Sequence, residues 1–204
     1  MAGLPVMSTL RSLQESGDRI VSIRGVLSGT LSFVFNSMAS GLSFSEAVLL
    51  AKSKGFTEPD VRDDLSGLDF ARKLVVLARA AGHLQTTLEQ VQWKTTLLSP
   101  HLSAMSADEF LSKGLMEMEA QINRLASDKQ NRLVFLGSVD SSGVVSCGVE
   151  SVSKSSPFGG LTGASNMIVI ETSMVYSADA PLVICGPGAG AAATAQGILS
   201  DLFA

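Results

Sequence analysis

Residues 62–81 read as one helix, and its second half, Leu74-Val75-Val76-Leu77-Ala78, is apolar on every side. A helix of that kind has to be enclosed by protein, so the rest of the chain must supply layers that wrap it. Asp63 and Asp64 stand in its first turns, where acidic groups favour the helix dipole. Ahead of it, residues 19–27 read as a strand, because Ile20, Val21, Ile23 and Val26 are β-branched. Ser28 then offers a helix N-cap before the apolar stripe Leu31, Val34, Phe35 and Met38. Ser43 with Glu46 matches a capping box and starts a further helix that ends at Gly55.

Beyond Gly82 the texture changes. Residues 91–98 alternate weakly like a strand, and residues 106–126 read as a helix capped by Ser106 with Glu109. Residues 132–139, 144–152 and 167–172 are strand-like, separated by Asp140-Ser141-Ser142-Gly143 and by a Gly/Ser-rich loop over 154–166. An apolar strand at 181–185, a glycine loop and a helix over 191–203 follow. Helices and strands alternate without strict βαβ rhythm. The expected fold class is therefore α/β of the α+β type, a mixed β-sheet covered by helices.

Composition narrows the function. The 204 residues are 46% hydrophobic and 17% charged, a globular rather than a disordered balance. Fifteen Lys and Arg against nineteen Asp and Glu give a net charge of −4 with no basic run, so no nucleic-acid partner is expected. Two uncharged stretches, 25–45 and 180–200, are studded with Ser, Thr and Asn or broken by Gly and Pro, so neither reads as a membrane span. Met1 is followed by Ala-Gly-Leu-Pro, without the basic and apolar regions of a secretion signal. Cys147 and Cys185 lie in unrelated contexts and read as two buried, reduced thiols, which suits a cytoplasm or an organelle stroma.

Four residues carry candidate chemistry: Glu58, Asp64, Asp69 and Lys73. Asp69 and Lys73 are four apart and share a helical face. On spacing alone they make a plain surface ion pair worth a few tenths of a kcal/mol. Lys73, however, stands directly before the apolar block. Desolvation there would oppose its charge while a carboxylate restores it, and a lysine between those terms can exchange a proton. Pro59 biases Glu58 towards an extended backbone just ahead of the helix. Gly186-Pro187-Gly188-Ala189-Gly190, between a strand and a helix, could bring backbone N–H groups to a phosphate. It lacks the full dinucleotide fingerprint, and taken alone it is better accounted for by tight strand-to-helix packing. His83 and His101 read as solvated loop residues.

The runs Gly25-Val-Leu-Ser-Gly-Thr-Leu-Ser-Phe33, Ser43-Phe-Ser-Glu-Ala47 and Gly55-Phe-Thr-Glu-Pro-Asp-Val-Arg-Asp-Asp-Leu-Ser-Gly-Leu-Asp-Phe-Ala-Arg-Lys73 resemble the catalytic domain of homoserine dehydrogenases. Gly186-Pro-Gly-Ala-Gly190, followed by Thr194-Ala195, Gly197 and Asp201, resembles that family's closing motif. The resemblance implies one domain, residues 1–204, of a two-domain dehydrogenase that interconverts L-homoserine and L-aspartate 4-semialdehyde with NAD(P). It serves threonine, methionine and isoleucine biosynthesis and acts as a homodimer. By matching position, Lys73 is the proton donor with Asp69 as its carboxylate neighbour, Glu58 and Asp64 hold the substrate, and Gly188 and Gly190 touch the cofactor. The backbone carbonyls of Ala2 and Leu4 help to hold a monovalent cation such as sodium. Phe33 stands where the family usually has Tyr. The family also places a Rossmann-type nucleotide domain ahead of this segment, with a further cation-binding carboxylate and a second active-site lysine. The expectation is thus a catalytic domain whose activity needs that missing part. A non-catalytic dimerisation or regulatory fragment is the alternative.

Overall fold

The computed structural model describes residues 3–126 and 130–203. Helix α1 (Val6–Glu15) leads into β1 (Ile20–Val26), α2 (Gly29–Ala39) and α3 (Phe44–Ser53). Next come α4 (Val61–Leu65), α5 (Leu68–Ala80) and the two-residue strand β2 (Gln92–Trp93). Short helices α6 (Pro100–Ser103) and α7 (Ala107–Glu109) run through a π-helical turn, Phe110–Gly114, into α8 (Leu115–Leu125). Strands β3 (Asn131–Val139), β4 (Val145–Ser153), β5 (Ser165–Thr172) and β6 (Leu182–Pro187) precede the last helix, α9 (Ala191–Phe203).

The six strands form one sheet in the order β2-β4-β3-β1-β5-β6. Every pairing is antiparallel except β2 with β4, so the sheet is mixed, as expected. Central β1 sets Ile23 opposite Val139 of β3 and Ile170 of β5, and all three are buried on the helix side. There they meet α2 and α5. Phe70 of α5 packs edge-to-face on Phe135 of β3 at 4.8 Å between ring centroids. On the opposite face Val26, Val134, Leu136, Met167 and Val169 form a second cluster with Phe158 and Leu161. Those last two come from the 154–166 loop, which Arg132 Nη1 holds by donating to the carbonyls of Gly159 and Leu161.

Several expectations need correction. The long helix over 62–81 is broken between α4 and α5 at Gly67, whose φ of +69° is a left-handed conformation. A side chain there would also press within 3.1 Å of the rings of Phe135 and Trp93. Nor is the second half of that helix enclosed on every side. Leu74, Val75, Leu77 and Ala78 are buried, but Val76 is 52% exposed, because the sheet covers one flank only. The strand expected over 91–98 shrinks to Gln92 and Trp93; after Lys94 donates to the Cys147 carbonyl, the chain leaves the sheet and reaches Ser99, which caps α6. Cys147 is buried, and burial pushes its thiol up to about 12, whereas Cys185 lies exposed on edge strand β6. His101 sits in α6 rather than in a loop, and half-buried His83 packs over Gly143.

Candidate active site

Three loops at one end of the sheet enclose a cleft of about 650 Å³. The first follows β1, where Ser28 Oγ accepts from the Leu31 N–H at 3.2 Å and so starts α2 beside the cleft. The second joins α3 to α4. Its Phe56 ring stacks edge-to-face on Phe33 at 4.9 Å, and its Phe56 carbonyl accepts from Thr30 Oγ1 at 2.6 Å. The third is the glycine loop between β6 and α9, whose Pro187, Gly188, Ala189 and Gly190 line the opposite wall.

Glu58, Asp64, Asp69 and Lys73 all line this cleft, together with Gly188 and Gly190. Lys73 Nζ lies 2.6 Å from Asp69 Oδ2 and donates at 3.2 Å to the Leu27 carbonyl, at the end of β1. Its side chain is 31% exposed, that of Asp69 69%. The ammonium is thus held at the wall of the cleft rather than buried, and the desolvation expected from the neighbouring apolar block is only partial. Asp64 Oδ2 accepts the Glu58 N–H at 2.8 Å, which fixes the backbone that carries the exposed Glu58 carboxylate.

Sequence reasoning passed over two groups here. Arg62, inside the stretch singled out as a helix, turns its guanidinium back on Asp60, with Nε donating to Oδ1 at 2.9 Å and to Oδ2 at 3.0 Å. Those hydrogen bonds hold the Asp60 carboxyl below its usual range. Asn166 of β5 also lines the cleft; it is 1% exposed and its Oδ1 has no hydrogen-bond partner among the described residues. It lies directly beneath Gly188, where a Cβ would come within 2.1 Å of Asn166 Nδ2. Nothing in the local pattern around Asn166 marks it, since its role arises from the pairing of β5 with β6.

For the cation, Ala2 lies outside the described residues. The Leu4 carbonyl accepts the Val6 N–H at 2.8 Å, and Leu4 Cδ2 stands 3.0 Å from where a Cβ on Gly186 would lie, near the glycine loop. Among the described residues no cluster of three His, Cys, Asp or Glu could hold a metal ion.

A mixed sheet with α4, α5 and its flanking loops bringing a lysine, three carboxylates and a glycine loop to one cleft defines an α/β domain with a polar, charge-lined site. The comparisons sharpen that. The family model described as homoserine dehydrogenase matches residues 5–203. The chain is 41% identical over 210 residues to a homoserine dehydrogenase of Saccharomyces cerevisiae, covering 99% of this chain and 57% of that protein. It is 42% identical over 208 residues to the chloroplastic bifunctional aspartokinase/homoserine dehydrogenase 1 of Arabidopsis thaliana, covering 99% of this chain and 22% of that one. Among solved structures, a Candida auris protein of unknown function superposes with a TM-score of 0.90 at 37% identity, over 99% of this chain and 57% of that one. A hyperthermophilic archaeal homoserine dehydrogenase in complex with NADPH shares the fold, with a TM-score of 0.69 at 22% identity over 98% of this chain and 51% of that one. The chain belongs to the homoserine dehydrogenase family. It spans about a fifth to somewhat over half the length of these curated relatives.

Proposed function

We propose that this chain is the catalytic and substrate-binding domain, residues 1–204, of an oxidoreductase interconverting L-homoserine and L-aspartate 4-semialdehyde with NAD(P), in the synthesis of threonine, methionine and isoleucine. The observation that carries the reading is the convergence of Glu58, Asp64, Asp69 and Lys73 with the glycine loop on one cleft. The alternative of a non-catalytic dimerisation or regulatory fragment leaves that convergence without a purpose.

The residues present fit a nicotinamide cofactor. Gly188 has no room for a side chain over Asn166, whose buried Oδ1 has a free acceptor position, and Gly190 keeps a backbone at φ +116° with nothing within 4 Å of a Cβ. The loop runs into α9, and the N-terminal turn of a helix favours an anion such as a pyrophosphate. When bound, the nicotinamide supplies a hydride to the aldehyde carbon. Lys73 gives the proton that the aldehyde oxygen needs as charge develops on it, and takes one back in the reverse direction. Asp69, at 2.6 Å, orients the ammonium. The Leu27 carbonyl holds it from the other side. Glu58 binds the substrate ammonium through a charge-assisted hydrogen bond, and Asp64 fixes the Glu58 backbone and supplies a second carboxylate on the substrate side.

A monovalent cation such as sodium belongs to the proposal only through the carbonyls of Ala2 and Leu4. Leu4 offers one remaining lone pair, a partial donor set, and no step is routed through the cation. The homodimer is assigned to the sheet face opposite the helices, where Val183 is 41% exposed and Cys185 lies beside it. No helix among the described residues is long and apolar enough to cross a membrane, and a cytoplasmic or stromal location remains part of the proposal.

The reading is tested by joining the chain to a nucleotide-binding domain and following oxidation of NADPH when aspartate semialdehyde is added. Oxidation that depends on the semialdehyde supports it; none in a folded protein contradicts it. Light scattering should give twice the monomer mass.

A further inference from the structure

Glu58 stands on a loop, and a loop carboxylate binds an ammonium well only if its backbone is held still. Contacts already described restrain that loop: Phe56 on Phe33, Thr30 Oγ1 on the Phe56 carbonyl and the Glu58 N–H on Asp64. A further one reaches beyond the cleft. Asp60, two residues past Glu58, caps α4 by accepting the Arg62 N–H at 3.0 Å. Arg62 then closes back on the same carboxylate through Nε and Nη2. Its Nη1 donates to the carbonyls of Ser103, at 3.2 Å, and of Met105, just past α6. The guanidinium therefore joins the Glu58 loop to a segment some forty residues further along, and its side chain is 19% exposed. Ser103 and Met105 do not line the cleft, and neither does Arg62.

We infer that Arg62 is the positioning residue for substrate binding: by gripping Asp60 and anchoring it to the carbonyls of Ser103 and Met105, it holds Glu58 at the place where the amino-acid ammonium arrives. The inference rests on the assignment of Glu58 to that ammonium. A guanidinium suits the task because it presents a planar fork of donors, enough for a carboxylate and two carbonyls together. A lysine keeps the charge but has no such fork. Arg62 acts on affinity for the amino acid and leaves the proton path through Lys73 and the glycine-loop wall untouched.

The experiment compares Arg62→Lys, Asp60→Asn, the double variant and Glu58→Gln in the enzyme that joins this chain to a nucleotide-binding domain. Asn caps a helix about as well as Asp, so Asp60→Asn weakens the grip while sparing the start of α4. Arg62→Lys and Asp60→Asn should each raise the KM for homoserine about tenfold, the size of one strong hydrogen bond. The KM for NADP should stay put and kcat should move little. The double variant should be no worse than the worse single one, because both changes break the same link. A merely structural Arg62 would lower thermal stability and the active fraction without moving the homoserine KM, and that result overturns the inference if Glu58→Gln still raises that KM. Should Glu58→Gln leave the KM unmoved as well, the assignment of Glu58 fails and the inference falls with it.

Discussion

The ammonium of Lys73 donates to the carbonyl of Leu27 at 3.2 Å, tying the middle of α5 to the last turn of chain before α2. A plain i,i+4 ion pair on a helix surface has both partners turned to water and needs no third group. Here Asp69 is 69% exposed but Lys73 only 31%, and the lysine points inward to a backbone acceptor at the wall of the cleft. That asymmetry sets the pair apart from an ordinary solvated ion pair. On the proposed reading, the cleft side of Lys73 is where the substrate oxygen stands, while Asp69 lies towards solvent.

On the proposed reading Glu58 acts in binding. Glu58→Gln removes the charge but keeps the shape, and a charge-assisted hydrogen bond is worth enough to raise the KM for homoserine about 10- to 100-fold. Steady-state kinetics should show kcat within a few fold of wild type. A rise in the KM for NADP instead would move Glu58 to the cofactor side of the cleft.

Gly188 tolerates no side chain. Gly188→Ala sets a methyl group 2.1 Å from Asn166 Nδ2 in a buried position, an overpacking that costs about 1–3 kcal/mol. Urea denaturation should show the loss, and adding Asn166→Ala should recover most of it by making room. Full stability in the single variant would mean that the glycine loop gives way without strain.

Asp18 makes folding pH-sensitive on the acid side. It is 4% exposed and accepts hydrogen bonds from Thr172 Oγ1 at 2.6 Å, the Met174 N–H at 2.9 Å and Ser173 Oγ. Burial alone would raise its pKa, but these hydrogen bonds together outweigh that and hold it below the ordinary 3.8. The folded state thus binds the proton less readily than the unfolded one. Its stabilisation is fully present above the unfolded value and is lost as pH falls through the lowered folded value. Wild type should therefore lose its advantage over Asp18→Asn in urea midpoint as pH drops towards 3 and keep it near neutrality. An advantage that does not change with pH would contradict this.

Much of this architecture was legible in local sequence. The capping box of Ser43 and Glu46 forms as read, with both reciprocal hydrogen bonds, and Ser28 caps α2. Strands β3, β4 and β5 fall within two residues of the strand-like stretches set off by Asp140-Ser141-Ser142-Gly143 and the Gly/Ser-rich loop. What escaped were features set by contacts distant in sequence. Gly67 looked like one more residue in a helical stretch, yet Phe135 and Trp93 crowd it and its left-handed backbone splits the helix there. Val76 belongs to an apolar run, but which flank of α5 meets the sheet is decided by β3. Helix α1 was missed although Val6, Leu10 and Leu13 recur at helical spacing, because no side-chain cap marks its start after Pro5. In the site, Glu58, Asp64, Asp69 and Lys73 sit on one continuous stretch and could be read together. Asn166 and the grip of Arg62 on the carbonyls of Ser103 and Met105 depend on how separate segments meet.

The central claim is that Lys73 moves the proton. Its most direct test is the turnover of Lys73→Ala in aspartate-semialdehyde reduction, in the enzyme that joins this chain to a nucleotide-binding domain. General acid assistance is worth about 10²–10⁴ in rate, so kcat should fall by that order while the KM for the semialdehyde changes little. Turnover close to wild type would take Lys73 out of the mechanism.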